Sequence, residues 1–315
     1  MKPIVNGSPA ISIIVPILNE AGNIEPLYQE ITKHCPLPFE LIWVDDGSED
    51  NSMAEIERLA KDNIWIKAIS FSRTFGHQSA LLAGMQLASA DTIIIMDGDL
   101  QHPPSLLPTL ISKFNEGYDL VSAKRIHTAS INPMKKWASS LFYGFLNFIA
   151  DTRIEENVAD FRIFNRKVLK SILSFEEREL FLRGIFSWIG FKTTTVPFEA
   201  PARSRGRSKY SWSKMAGLGL KGVLSFSFKP LRISLLIGVF ISVAAFCFAI
   251  FAMIAHLNGR TVEGWTSIII AVMLFGGIQL MAIGLLGEYV ARLFTETKKR
   301  PLFLINKKIN INDDV

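Results

Sequence analysis

Cysteine is nearly absent from this chain, since only Cys35 and Cys247 occur among its 315 residues. Cys247 lies inside a long apolar run and Cys35 lies far from it in a more polar part, so we expect the two thiols in different compartments. The sequence therefore predicts neither a disulfide nor a cysteine-based metal site. The first 20 residues also lack the basic stretch, apolar core and cleavage site of a secretory signal, and we expect the N-terminal part to stay in the cytoplasm.

Charge is absent from residues 233–255, and residues 265–289 contain only Glu288. About 20 consecutive apolar residues are enough to span a bilayer. Two buried core helices are the alternative interpretation, but uncharged runs of this length are rare in soluble folds. We therefore predict transmembrane helices over 231–258 and 264–290.

Acidic residues are missing from 203–232, although this stretch carries eight basic ones. Residues 1–202 have a net charge of −5 and residues 203–315 a net charge of +10. A basic stretch beside the apolar runs suits membrane lipids or phosphorylated ligands, and no motif predicts nucleic-acid binding. Within it, residues 211–230 predict an amphipathic helix in the membrane interface, with a helix packed on the domain's own core as the alternative.

Basic residues flank the two apolar runs on their outer sides, whereas the connection between the runs holds only Arg260. The positive-inside rule therefore places the N-terminal domain, both termini and a basic tail at 291–315 in the cytoplasm.

The N-terminal part shows short apolar runs that alternate with segments of helical character. The runs lie at 11–17, 39–45, 64–71, 91–96 and 118–123. This alternation is typical of a mostly parallel sheet covered by helices, so we assign residues 1–210 to one α/β domain of Rossmann-like type.

Polar clusters follow three of these runs: PILNE at 16–20, VDDGSED at 44–50 and MDGDLQ at 96–101. Each cluster alone fits an ordinary turn or helix cap. Together they would place several carboxylates at the carboxyl edge of one sheet, where ligands bind and where a cation or donor groups must offset the repulsion. Asp97 and Asp99 are suited to a hard divalent metal such as Mg²⁺ or Mn²⁺.

Further motifs follow in order along the chain. They are SRTFGHQSALLAG (72–84), SAKR (122–125), ENVADFR (156–162), RGRSKY (205–210), SFSFKPLR (225–232) and LLGEYVARLFTETKKRP (285–301). With these motifs the chain resembles the membrane-bound polyprenyl-phosphate glycosyltransferases, relatives of dolichol-phosphate mannose synthase with a GT-A-type domain of family 2. The likeness covers roughly residues 10–301 and is strongest to bactoprenol glucosyltransferases, through IEENVADFRIF and ERELFLRGIFSWIG.

The resemblance implies roles for individual residues. The nucleotide sugar would be bound by Pro16, Asn19, Glu20, Asp45, Asp46, Ser48, Asp97 and Arg125. The metal would be held by Asp97, Asp99 and Gln101, and phosphate or lipid by Arg162, Arg205 and Lys209. Asp160 would be catalytic, as a base or as an orienting group, unless it is a structural carboxylate paired with Arg162. Many relatives carry an acid where this chain has His102, so contacts around the metal are expected to differ.

The implied reaction transfers a sugar, with UDP-glucose as the favoured donor, to undecaprenyl or another polyprenyl phosphate with inversion. It would take place on the cytosolic face of the bacterial inner membrane. A flippase and a second glycosyltransferase would then pass the sugar to surface polysaccharide such as lipopolysaccharide O-antigen. A homo-oligomer is also possible, because the small residues of GGIQLMAIGLLG would allow close helix contact.

Other activities stay open on the sequence. Mannose, galactose or aminoarabinose could replace glucose. A processive polysaccharide synthase is disfavoured by the presence of only two apolar runs and by the lack of a Gln-x-x-Arg-Trp motif. A catalytically silent membrane scaffold is disfavoured by the intact carboxylates Asp45, Asp46, Asp97 and Asp99.

Overall fold

The computed structural model describes residues 8–126, 158–177, 181–199, 229–258 and 264–311. These residues divide into two compact units. The first unit contains the described parts of 8–199 together with 300–311, and the second contains those of 229–299. Arg205, Lys209 and nearly all of the predicted interfacial helix at 211–230 lie outside the described residues.

A mixed β-sheet forms the centre of the first unit. Its described strands are β1 (Ile11–Ile17), β2 (Phe39–Asp45), β3 (Ile66–Phe71), β4 (Thr92–Ile95), β5 (Leu120–Ile126), β6 (Val158–Asn165), β7 (Thr193–Glu199) and β8 (Ile305–Ile309). Their order across the sheet is β7-β5-β6-β4-β1-β2-β3-β8. The α/β class is confirmed, and the sheet fits the GT-A-type domain that the resemblance implies.

Parallel and antiparallel strand pairs both occur in this sheet. β1 runs parallel to β2 and β4, β2 to β3, and β5 to β7. β6 runs antiparallel to β4 and β5, and β8 runs antiparallel to β3. All seven residues of β1 and of β2 are buried, so both faces of these strands are covered. Their mostly apolar sequences, which do not alternate between apolar and polar residues, reflect this position.

Helices connect and cover the strands. They are α1 (Ala21–His34), α2 (Ser52–Ala60), α3 (His77–Leu87), α4 (Leu107–Phe114, after a 3₁₀ turn at Pro104–Leu106), α5 (Arg166–Leu173) and α6 (Leu182–Trp188). α3 packs closely on the sheet at Gly84, where a Cβ atom would lie 2.3 Å from Cγ2 of Ile14. Glycine at this position allows α3 to approach β1.

The C-terminal residues return to the sheet. β8 has the sequence INKKI, and just before it the carbonyl of Leu304 accepts a hydrogen bond of 2.9 Å from the Ser72 N–H. The ring of Phe303 stacks on that of Phe71 with centroids 4.9 Å apart. The segment expected to be a basic tail therefore includes an edge strand of the first unit, which the sequence did not predict.

Two long helices make up the described part of the second unit, α7 (Lys229–Leu257) and α8 (Trp265–Thr297). In the described chain, one stretch, Leu274–Thr297, is long and apolar enough to cross a membrane. The apolar stretch Ser234–Phe248 in α7 is shorter. One candidate membrane helix is therefore found, and the expectation of two transmembrane helices stays a prediction.

Candidate active site

The loops after β1 and β2 are joined by hydrogen bonds. The N–H of Asn19 donates to Oγ of Ser48 over 2.8 Å, and Oδ1 of Asn19 accepts from the N–H of Glu49 over 2.9 Å. Asn19 has φ 57°, a left-handed conformation that asparagine tolerates better than most residues. β1 and β2 are parallel neighbours, so their carboxyl ends place PILNE and DDGS side by side, as the sequence predicts.

Asp45, at the end of β2, is 1% exposed. Its Oδ1 accepts a hydrogen bond of 2.9 Å from the Ser48 N–H, and its Oδ2 accepts one of 2.7 Å from the Ser70 hydroxyl. The carboxylate therefore fixes the turn that follows β2 and ties it to β3.

Asp46 holds the loop that leads into α3. Its Oδ1 accepts hydrogen bonds from the N–H groups of Phe75, at 2.6 Å, and Gly76, at 3.0 Å. Gly47 follows with φ 78°, and a Cβ atom there would lie 2.6 Å from the carbonyl carbon of Arg73. The DDG turn and the loop before α3 are thus packed backbone against backbone, which requires glycine.

The turn that carries Asp97 and Asp99 is pressed against the end of β1. A Cβ atom on Gly98 would lie 2.7 Å from Cγ2 of Ile17 and 3.3 Å from the carbonyl oxygen of Pro16. Leu100, just after the second carboxylate, has φ 61°. Strained backbone of this kind is found at ligand-binding turns more often than elsewhere.

His102 supports Asp97 from inside the protein. It is 4% exposed and stacks on Phe161 with centroids 5.3 Å apart. Its Nδ1 accepts a hydrogen bond of 2.9 Å from the Asp97 N–H, so the ring proton is on Nε2, which lies 3.5 Å from Oδ2 of Asp97. In this chain a histidine therefore occupies the place where many relatives were expected to have an acid.

His77, the first residue of α3, lies between two carboxylates. Its Nε2 is 3.5 Å from Oδ1 of Asp97 and 3.8 Å from Oδ2 of Asp160. The sequence did not assign His77 a role. Its position in FGHQ, just after β3 and at the start of a helix, could have indicated that it lies at the same sheet edge.

Asp160 on β6 is 8% exposed and is held by Arg183. Nη2 of Arg183 donates to Oδ2 of Asp160 over 2.7 Å, and Nε lies 3.1 Å from both carboxylate oxygens. Arg162, itself 3% exposed, has Nη2 at 3.8 Å from Oδ1. Burial alone would raise the pKa of Asp160, but the charges of Arg183, Arg162 and His77 lower this pKa to about 2.

The residues expected to hold a metal give a partial site. Oδ1 of Asp97 is buried and accepts no hydrogen bond from the described part of the chain. Oδ1 of Asp99 accepts from the Gln101 N–H over 3.0 Å, and Oε1 of Gln101 accepts from Nη2 of Arg125 over 3.0 Å. Among the described residues no group of three or more His, Cys, Asp or Glu side chains could hold a metal.

The electrostatic surroundings of Asp97 nevertheless favour a bound cation. Desolvation raises the pKa of Asp97, and the nearby carboxylates of Asp160 and Asp99 raise it further, while His102 and His77 lower it. An ionised Asp97 is therefore disfavoured unless a positive charge joins it. Mg²⁺ and Mn²⁺ often use one or two carboxylates together with substrate phosphates and water, so a partial protein site suits such a metal.

Comparisons with known proteins show the family to which the chain belongs. Residues 12–173 match the family model described as glycosyl transferase family 2. The chain is 38% identical over 301 residues to the bactoprenol glucosyl transferase of Shigella phage SfII, which covers 94% of this chain and 97% of the relative. The chain belongs to glycosyltransferase family 2. This family 2 glycosyltransferase is also 38% identical over 305 residues to the putative glycosyltransferase CsbB of Bacillus subtilis (strain 168), with 96% and 92% of the two chains covered.

A mannosyltransferase from Pyrobaculum calidifontis, solved in complex with GDP-Man and Mn²⁺, aligns with this glycosyltransferase at a TM-score of 0.49 and 17% sequence identity. The alignment covers 93% of this chain and 87% of the other.

The structure of this glycosyltransferase brings together two groups of the expected site residues. One group joins the loops after β1 and β2 through Asn19, Glu20, Asp45, Asp46 and Ser48, and the other lies around Asp97, Asp99, Gln101, Arg125, Asp160 and Arg162. The carbonyl oxygen of Pro16 lies close to Gly98, in the turn between Asp97 and Asp99. His77 and Arg183 are the additional residues that the sequence did not identify.

Proposed function

We propose that this enzyme transfers glucose from UDP-glucose to undecaprenyl phosphate, or another polyprenyl phosphate, on the cytosolic face of the bacterial inner membrane. The observation that carries the proposal is the likeness to the bactoprenol glucosyl transferases of Shigella phages SfII, SfV and SfX, at 38%, 37% and 37% identity. Each of these alignments covers at least 94% of this chain, so the likeness includes the apolar helices as well as the sheet.

The donor nucleotide would lie over the loops after β1 and β2. Asp45 and Asp46 already accept hydrogen bonds from the chain, and each carboxylate oxygen can accept more than one. Together with Pro16, Asn19, Glu20 and Ser48 they would present acceptors to the base and ribose. The packed turn at Gly47 supports this role, because it keeps these groups in a fixed arrangement before the donor binds.

A divalent metal, Mg²⁺ or Mn²⁺, would be held by Asp97 and Asp99, with Gln101 close by. When bound, it would supply positive charge to the diphosphate that leaves the sugar. Oδ1 of Asp97 is buried and accepts no hydrogen bond from the described chain, which supports this assignment. His102 would hold Asp97 in place through the hydrogen bond from the Asp97 N–H.

The reaction joins a phosphate oxygen of the lipid to C1 of the glucosyl group. The bond between C1 and the UDP oxygen breaks, UDP leaves with its electron pair, and attack from the opposite side inverts C1. Because a lipid phosphate is ionised near neutral pH, no strong base is needed and positioning matters most. Arg125, which donates to Gln101, is a candidate to bind a phosphate. Arg205 and Lys209, which lie outside the described residues, are further candidates.

The course of the chain supports two membrane spans, with the sheet and its C-terminal strand on the same side of the membrane. Residues 158–199 and 300–311 belong to the same folded unit, and β8 pairs with β3 inside its sheet. A chain that crossed the membrane once between these segments would leave β8 on the side opposite to β3. If α8 crosses, a second crossing is needed between these segments, and among the described residues α7 is the helix placed to make it.

A panel of radiolabelled nucleotide sugars tests the proposed function. The purified full-length protein is incubated with undecaprenyl phosphate and with UDP-glucose, UDP-galactose or GDP-mannose in turn, and the lipids are extracted. We expect label in the lipid fraction from UDP-glucose and at least tenfold less from the others. Faster transfer from GDP-mannose or UDP-galactose would show that mannose or galactose, not glucose, is the sugar transferred. No transfer from any donor would contradict the proposal.

A further inference from the structure

Arg183 makes the shortest contact with the carboxylate of Asp160 among the described residues. Its Nε lies 3.1 Å from both carboxylate oxygens and its Nη2 lies 2.7 Å from Oδ2. A guanidinium that meets a carboxylate through two nitrogens fixes the direction of the carboxylate as well as its charge. By comparison, Arg162 and His77 each approach Asp160 to 3.8 Å.

The helix that carries Arg183 is itself fixed beside the site. At its start, the Leu182 N–H donates to Oε1 of Gln78 over 2.8 Å, and Gln78 follows His77 on α3. Further along, the ring of Phe186 lies 4.4 Å below the guanidinium carbon of Arg162. α6 therefore contacts both α3 and β6, and these contacts fix the position from which Arg183 reaches Asp160.

This arrangement bears on whether Asp160 acts as a base. A carboxyl group with a pKa of about 2 is protonated in about one molecule in 10⁵ at pH 7, so Asp160 is a very weak base there. Charged groups face it from each packed element: Arg162 from β6, His77 from α3, Arg183 from α6 and Asp97 from the turn after β4. The phosphate nucleophile is already ionised and has no need of a base.

An ionised carboxylate only accepts hydrogen bonds and a fully ionised lipid phosphate has none to donate, so the natural partner of Asp160 is a neutral hydrogen-bond donor. The donor sugar offers hydroxyl groups of this kind. Each carboxylate oxygen can accept two hydrogen bonds, and among the described residues Oδ1 receives only the long bond from Nε of Arg183. Oδ1 can therefore accept a sugar O–H while Arg183 holds the other side.

We propose that Arg183 is a positioning residue that holds Asp160 as a hydrogen-bond acceptor for a hydroxyl of the donor sugar, so that Asp160 orients the sugar and does not take a proton. This inference rests on the proposed function, because it requires a sugar at the site. It assigns α6 a role in catalysis through Asp160.

A double-mutant cycle tests whether Arg183 acts through Asp160. Initial rates are measured for the full-length wild type, Arg183→Ala, Asp160→Asn and the double variant at saturating UDP-glucose and undecaprenyl phosphate. We expect Arg183→Ala to lower kcat by about 10²-fold, the usual effect of a misplaced reacting group. In the Asp160→Asn background the same substitution should cost less than threefold, because residues that act as one unit are not additive.

Rescue by a small cation provides a second readout that a purely structural role would not change. Arg183 lines a cavity of about 310 Å³, so a guanidinium ion can reach the space that the alanine leaves. Millimolar guanidinium should raise the kcat of Arg183→Ala at least tenfold and should not raise the kcat of Asp160→Asn. Arg183→Lys, which keeps the charge but not the two-nitrogen contact, should fall between wild type and alanine and serves if the alanine variant does not fold.

The matched control is Arg166→Ala on α5. Arg166 donates to the carbonyls of Ala88 and Ser89, at 2.8 Å each, and has no contact with Asp160 among the described residues. Its kcat should stay within twofold of wild type, and guanidinium should not raise it.

Three results would overturn the inference: a wild-type kcat for Arg183→Ala, an equal cost of this substitution in both backgrounds, or no effect of guanidinium on Arg183→Ala. If Arg183→Ala does not fold, a wild-type kcat for Arg183→Lys overturns it. Each comparison is a ratio to an active wild type. A wild type that transfers no sugar would instead refute the proposed function, so the two failures are distinguishable.

Discussion

Asp97→Asn should make the protein more stable while it abolishes metal binding. The Asp97 side chain is one third exposed, but its Oδ1 is buried and accepts no hydrogen bond from the described chain, and burial together with Asp160 and Asp99 raises the pKa of the carboxyl. An asparagine removes the negative charge and keeps the shape. Its carbonyl oxygen can face Nε2 of His102, which already lies 3.5 Å from Oδ2.

The gain in the free energy of unfolding should be about 1 kcal/mol, in the range of substitutions that relieve a strained functional site. We choose the lower part of that range because the Asp97 side chain is one third exposed. For a domain of about 200 residues, such as the one that contains Asp97, about 1 kcal/mol corresponds to a rise in Tm of about 2–4 °C. The sign follows from the raised pKa, since an ionised carboxylate whose folded-state pKa lies above its unfolded value destabilises the fold at neutral pH.

Thermal unfolding of the full-length protein in detergent measures both effects. In EDTA, Asp97→Asn should melt above the wild type. With Mn²⁺ and UDP the order should reverse, because a ligand at 100 times its Kd stabilises the wild type by about 2.7 kcal/mol and cannot bind the variant in the same way. A lower Tm than wild type in EDTA, or an unchanged Mn²⁺ response, would refute the reasoning.

Three further predictions concern other parts of the molecule. Glu40→Gln should cost about 3 kcal/mol of stability by chemical denaturation, because Glu40 is fully buried and pairs with Lys67 at 2.7 Å. Burial raises the pKa of Glu40, but Lys67 and hydrogen bonds lower it below its usual value. In the wild type this stabilisation should therefore be present above about pH 4.3 and be lost as the pH falls through the folded-state pKa of Glu40. Glu40→Gln should show no such loss. Gly98→Ala should lower kcat by about tenfold or more with little change in membrane insertion, since its Cβ would lie 2.7 Å from Ile17 and displace Asp97; a wild-type kcat would show that the turn has room. Reporters fused to the two termini should both report cytoplasm, and a C-terminal reporter outside the cytoplasm would contradict the two-span topology.

The strands nearest the site could be predicted from the sequence because they are buried on both faces. β1 and β2 have the predicted bounds, 11–17 and 39–45, since these mostly apolar runs end sharply at polar loops. The same loops contain the expected donor and metal residues. Parallel strands bring such loops to one edge, so local pattern and topology were sufficient to predict that these loops lie together.

Residues whose role depends on contacts between distant segments could not be predicted. Arg183 meets Asp160 only after α6 has docked on α3 and β6, and nothing in LFLRGIFSW indicates that contact. β8 was missed because INKKI, with its adjacent lysines, resembles a solvated tail. Charged residues are common on edge strands, where β8 lies, and its position depends on β3 and on the stacking of Phe303.

The most direct test of the central claim is mass spectrometry of the lipid formed from UDP-glucose and undecaprenyl phosphate by the purified protein. With Mg²⁺ or Mn²⁺ present, we predict a single product with the mass of undecaprenyl phosphate plus one hexose, and we predict that EDTA or Asp97→Asn prevents its formation. An unchanged acceptor, or a ladder of products with several hexoses, would contradict the transfer of one glucose to a lipid phosphate.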